Sequence, residues 1–216
     1  MLNFLSPNSP LGRWLAFFLD ALLISVAWAV CSLPVVTIGA STSALHRVAL
    51  NWMRDRSDCD LKNFFAAFRE NLKGGTAVWL ILLVPLAVIL FNAYAVWIAL
   101  VEASSAAKWM ILLTLVVWMA AAVYAFALQA AFENPPMRTV VNALRIAASH
   151  LTTTLILIGL FALAVFCTLV FPYGAFLYVP VCVFLAARPT WNVFVKVMGN
   201  PDVTVGQAEE EKENDP

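Results

Sequence analysis

The chain has 216 residues, of which 62% are hydrophobic and 12% charged, and its mean hydropathy is +0.85. Ordinary soluble domains carry roughly a quarter charged residues and about half apolar ones, so this composition excludes a soluble domain, a disordered chain and a disulfide scaffold, and points to lipid as the solvent. Lys and Arg number 13, as do Asp and Glu, and without a net positive field nucleic acid is not an expected partner.

Runs of about 20 residues without charge mark the expected spans. The first covers 14–36, interrupted by Asp20 and closed by Pro34. Ala27-Trp28-Ala29 has the small-x-small form of a cleavage site, but Arg13 alone precedes the run and Asp20 lies within it, so the segment is expected to stay as a membrane helix. Two amphipathic helices follow. In 44–55, Leu45, Val48, Ala49, Trp52 and Met53 share a face while Arg47, Arg54 and Arg56 lie off it; in 60–73, Leu61, Phe64, Phe65, Phe68 and Leu72 carry the apolar pattern. Such helices suit the inner interface, with apolar side chains among acyl chains and basic ones at anionic headgroups. The competing reading is a partner's surface. Arg54, Phe64, Phe65, Phe68, Arg69 and Lys73 are therefore the headgroup- or partner-facing candidates.

The second span is expected over 76–101, kinked at Pro85, and the third over 109–132. Next, Phe132-Glu133-Asn134-Pro135-Pro136 reads as a helix start with Asn134 as cap and Pro135 at the first helical position. The helix, 135–148, groups Met137, Val140, Val141 and Leu144 on one face and is expected to run on into the fourth span. Glu133 either complements the helix dipole or bridges to Arg54 or Arg69, and joins the partner-facing candidates. Leu151–Ala187 holds 37 uncharged residues, roughly 55 Å as one helix and nearly twice the hydrocarbon core. Pro172-Tyr173-Gly174 is therefore read as a hairpin between spans 151–171 and 174–187. Residues 1–200 form one domain, and the acidic 201–216 read as a disordered tail. The expected fold is an all-α integral membrane bundle of about five transmembrane helices with cytoplasmic amphipathic helices.

With five spans, one side holds 11 Lys and Arg (Arg47, Arg54, Arg56, Lys62, Arg69, Lys73, Arg138, Arg145, Arg188, Lys196, Lys212) and the other 2, Arg13 and Lys108. The positive-inside rule then puts the long first loop and the C-terminus in the cytoplasm and the N-terminus outside.

Among candidate residues Asp20 stands out, because a carboxylate within a span costs several kcal/mol, about 3 on insertion scales, unless paired, hydrated or protonated. Asn92 is expected at similar depth, and the two form either an ion, proton or sugar contact or an interhelical polar clamp. Pro34, Thr37, Gly39, Ser41 and Thr42 form a small, polar segment near the inner interface. It is read as a tight helix crossing and turn, the alternative being an unwound stretch lining a substrate path. Cys31, Cys59, Cys167 and Cys182 show no C-x-x-C spacing and read as small apolar residues. His46 and His150 lack a third ligand at metal spacing and read as interfacial. No phosphate-binding loop or nucleophile and base pair is visible, so neither enzyme activity nor a cofactor or metal is expected.

Three stretches carry a family resemblance: Leu33-Pro34-Val35-Val36-Thr37-Ile38-Gly39-Ala40-Ser41-Thr42-Ser43-Ala44-Leu45, then Phe64-Phe65-x-x-Phe68-x-x-Asn71-x-Lys73, then Phe132-Glu133-Asn134. From about Pro10 to Pro189 the chain resembles the YesL-like family of bacterial integral membrane proteins. The resemblance implies a small multi-span protein without an established molecular function, often encoded beside sugar-uptake systems of the ATP-binding-cassette type and polysaccharide-degrading enzymes. It supplies no catalytic or ligand residues. Two expectations follow: an accessory component contacting membrane lipids and subunits of such a transporter, or a small solute carrier or channel-like protein working as a homo-oligomer through Asp20, Asn92 and the 37–43 segment.

Overall fold

Long apolar runs between Gly, Pro and charged breaks fold into α-helices, and the computed structural model describes residues 10–55, 60–97, 105–132, 134–171 and 174–198. In chain order these hold α1 (Pro10–Ser32), a 3-10 turn (Val35–Thr37), α2 (Ile38–Asp55), α3 (Leu61–Trp97), α4 (Ser105–Ala131), α5 (Pro136–Ser149), α6 (Leu151–Val170) and α7 (Ala175–Met198). Every regular element among the described residues is helical. Among the described residues, four stretches are long and apolar enough to cross a membrane: Leu61–Val96, Ser105–Ala131, Leu151–Val170 and Phe176–Val197; Leu19–Ser32 in α1 is a shorter apolar one. The protein is an all-α membrane bundle.

Several boundaries differ from expectation. The amphipathic helix expected over 60–73 and the span over 76–101 are one helix, α3, which passes through Gly74-Gly75. Each glycine costs a helix only about 1 kcal/mol, and these two sit where other elements come too close for a side chain. Conversely, α5 does not run on into α6. The chain breaks at His150 (φ −127°, ψ 56°), whose N–H still donates to the Ile146 carbonyl. Thr154 stitches the break by donating toward the Ala147 and His150 carbonyls at 3.0 and 2.9 Å. Finally, α5 starts one residue later than read, with Pro135 in the cap position, no side-chain cap, and Pro136 as the first helical residue. Asn134 is not the cap. The last helix also runs past its expected end at 187 to Met198, through Pro180 and Pro189.

Helices α3 and α4 run antiparallel. The Trp118 indole donates to the Leu82 carbonyl (2.8 Å), Trp79 meets the Phe126 ring (6.4 Å), and Gln129 lies against Gly74. Lys73 and Lys108 are thereby at opposite ends. The buried residues of α4 all fall between Ala120 and Ala130, so the core sits toward the Lys73 end. Toward the other end, large apolar side chains such as Phe91, Trp109, Phe166 and Leu169 are exposed, as suits faces solvated by acyl chains.

The centre of that core is α2, which packs against α1, α3, α4 and α7. From residue 39 to 50 only Thr42 and Arg47 escape full burial. Small side chains (Gly39, Ala40, Ser41, Ser43, Ala44, Ala49) let four neighbours reach one backbone. An interfacial position was expected for this segment; the structure encloses it instead.

Candidate functional site

The chain turns between α1 and α2 through a hydrogen-bonded corner that contains Pro34, Thr37, Gly39, Ser41 and Thr42. Pro34, extended at φ −74° and ψ 116°, precedes the 3-10 turn. The Thr37 hydroxyl donates toward the Cys31 and Pro34 carbonyls (2.7 and 2.8 Å), tying off backbone groups that the end of α1 leaves open. Ser32 and Ser41 share a hydroxyl bond of 2.7 Å, Trp28 donates to the Thr42 hydroxyl (3.4 Å), and Trp79 of α3 donates to the Val35 carbonyl (2.9 Å).

One turn further, α2 crosses α3 backbone to backbone. A Cβ on Gly39 would collide with the Gly75 carbonyl oxygen and Trp79 Cβ, and one on Gly75 would lie 2.9 Å from Ala40 Cα and 3.0 Å from the Ser43 hydroxyl. Helical spacing continues this stripe of α2 from Gly39 and Ser43 to His46 and Leu50. Below the crossing, Arg47 and Glu70 form an ion pair on the half-exposed flank. On α3, buried Asn71 donates to the carbonyl of Ala67 (2.9 Å).

A polar layer extends from the crossing. Thr139 of α5 donates to Gln129 Oε1 of α4 (3.2 Å), with the Gln129 amide against Gly74. The Tyr124 and Thr154 hydroxyls lie 3.3 Å apart and join α4 to α6. Among the described residues, three buried hydroxyls, on Ser43 of α2, Thr76 of α3 and Thr190 of α7, have no hydrogen-bond partner. Ser43 falls on the visible small-residue stripe; nothing in the sequence around Thr76 or Thr190 signals such a position.

The aromatic and basic candidates separate. Phe64, expected to face headgroups or a partner, is fully buried, edge-on to Phe65 (5.7 Å) and stacked on Phe68 (6.5 Å), which is half-buried against the core. Phe65 is 43% exposed, and Arg54, Arg69 and Lys73 are exposed. The α3 pattern holds two apolar faces, and only Phe64's meets the core. Asp20 is half-buried on α1 and is engaged rather than free. Asn92 is exposed, its amide donating to the Val88 carbonyl of its own helix (2.8 Å). Glu133 lies outside the described residues. Among those described, no three His, Cys, Asp or Glu residues converge as metal ligands would.

Residues 21–93 match the model of the protein family described as "Protein of unknown function, DUF624". The match takes in the second half of α1, the corner, all of α2 and most of α3. No curated protein and no solved structure matches the chain. The matched DUF624 region thus contains the central helix and its glycine crossing, and α4 to α7 close around it.

His46, read as interfacial, is buried, and loss of hydration pulls its imidazole pKa from 6.5 down to about 4. Above pH 6.5 the ring is neutral folded or unfolded. Between pH 6.5 and 4 only the unfolded chain takes up the proton, so stability falls as pH drops through this window, by a few kcal/mol at most. Thermal midpoints between pH 7.5 and 4.5 should show this acid limb in the natural protein and a flatter one in His46→Leu. Equal limbs would exclude His46 as its source.

Proposed function

We propose that the chain is an accessory protein of a bacterial inner membrane that binds a partner complex of carbohydrate uptake, with the Lys73 end in the cytoplasm. The observation that carries this reading is the face of α3 bearing Lys62, Phe65, Arg69 and Lys73, exposed on a helix whose opposite side, Phe64, Ala67 and Asn71, is locked in the core. Aromatic residues and arginine are both enriched at protein-protein interfaces, and a rigid helix presents them without an ordering cost. Five further basic groups, Arg54, Arg138, Arg145, Arg188 and Lys196, are exposed on α2, α5 and α7, and the positive-inside rule assigns such an excess to the cytoplasm. The link to carbohydrate uptake rests on the resemblance of the 33–45 and 64–73 stretches to the YesL-like family.

The test is in-cell crosslinking and co-purification of the tagged protein from cells grown on a plant oligosaccharide, with mass spectrometry of what is recovered. Permease or ATPase subunits should accompany the natural protein and be lost with Phe65→Ala or Arg69→Glu. Recovery of self-crosslinked chain alone would sink the accessory reading in favour of a homo-oligomeric carrier. The unpartnered hydroxyls of Ser43, Thr76 and Thr190 would then be its first polar contacts to examine, beside Asp20.

A further inference from the structure

We propose that α5 lies in the headgroup layer at the basic end of the bundle and binds anionic phospholipid through Arg138 and Arg145. At 100° per residue the helix has three sides. Thr139, Ala143, Ile146 and Ala147 are buried, facing α4 and α3, the elements α5 packs on most. Met137, Val141, Leu144 and Ala148 form an exposed apolar stripe, with Met137 64% exposed. Arg138, Arg145 and Ser149 form an exposed polar side next to it. Water would penalise the apolar stripe and a hydrocarbon phase the arginines, whereas the boundary between the two satisfies both.

Depth follows from the neighbours. The first turn of α5 is tied to Gln129 through Thr139, and Thr154, beyond the break, ties its last turn to Tyr124. The helix therefore lies beside the final turns of α4, where the apolar span gives way to the polar Phe132-Glu133-Asn134 connection.

Continuity selects lipid over a protein groove. Just past the break at His150, Leu151 and Leu155 are exposed on the membrane-spanning α6. Exposed apolar side chains therefore flank the break on both sides, and those on α6 meet acyl chains. Arg138 and Arg145 are about 10 Å apart along the axis, far enough to address separate phosphates, and a guanidinium can engage each with paired hydrogen bonds. No acidic residue on α5 competes for them. The α3 face differs in having only Phe65 and Leu72 as exposed large apolar groups among its charges.

Native mass spectrometry of the full-length protein, titrated with phosphatidylglycerol and phosphatidylcholine, tests the proposal. The natural protein should retain phosphatidylglycerol in preference. Arg138→Gln with Arg145→Gln should cut that preference about tenfold, with elution volume and phosphatidylcholine binding unchanged. Lys62→Gln with Arg69→Gln, an equal loss of charge on α3, should leave it in place. An unchanged ratio in the α5 variant overturns the proposal, as does an equal drop in the α3 variant, which would mark diffuse attraction. If the α5 variant keeps its lipid preference but loses a co-purifying protein, the face belongs to a protein partner. None of these outcomes depends on whether Phe65 and Arg69 bind a transporter.

Discussion

Gly39→Ala is expected to leave little folded protein, whereas Gly159→Ala should leave it intact. A Cβ on Gly39 would occupy the space of the Gly75 carbonyl oxygen and Trp79 Cβ, while one on Gly159 meets nothing within 4 Å. The atoms opposing Gly39 belong to a backbone and to the root of a side chain, so relief requires α2 and α3 to separate. Overfilling of a packed core costs about 1–3 kcal/mol and occasionally more; here separation also pulls apart the corner at Val35 and the Arg47–Glu70 pair, which puts the cost at the upper end or beyond. Gly75→Ala should behave similarly, with Ala40 Cα and the Gly39 oxygen 2.9 Å away. Gly74→Ala should be milder, because the group it displaces is the flexible end of Gln129. Fluorescence-detected size exclusion and thermal melting of the four variants would read the order directly. A well-folded Gly39→Ala protein would show that α2 and α3 do not cross as described.

The second large effect separates neighbouring phenylalanines. Phe64→Ala should cost about 3–5 kcal/mol, the range for emptying a buried aromatic site, since Phe64 is fully enclosed and contacts the rings of Phe65 and Phe68. Phe65→Ala removes a side chain that is 43% exposed, and a loss below about 1 kcal/mol is expected. Thermal midpoints of the two variants in the same detergent decide it. Equal losses would mean that the α3 faces are assigned the wrong way round, and Phe65→Ala would then be useless as a probe of partner binding. A stable Phe65→Ala protein makes loss of a co-purifying partner a statement about contact rather than folding.

Segments whose solvent differs from water were legible in the residues themselves. The apolar stretches that became α4 and α6 were readable from composition, because a helix facing acyl chains needs no periodic pattern, only the absence of charge. Pro135-Pro136 placed the start of α5 to within a residue, since proline fixes φ and lacks the donor that a first turn leaves unused. Lys73-Gly74-Gly75-Thr76 misled for the opposite reason. Locally it reads as a break, but the helix continues because those glycines accept the approach of Ala40, Ser43 and Gln129.

The site was legible in its residue types and not in its location. The small, polar character of 37–43 pointed to close helix contact, and the crossing at Gly39 and Gly75 is that contact. Nothing local showed that α2 would be surrounded by four helices, or that His46 and Phe64 would be buried while Phe65 stays exposed. Amphipathicity names an apolar face; it does not say whether protein or lipid covers it.

By itself, then, the sequence determined that this is an all-helical membrane protein and where its long uncharged stretches lie. These follow from transfer energies and backbone propensities, which act residue by residue. The tertiary structure alone decided which amphipathic segment became the buried centre, which phenylalanine faces outward, and which hydroxyls are left without partners. Those outcomes depend on contacts between residues far apart in the chain, where the fit of one helix against another sets the free energy.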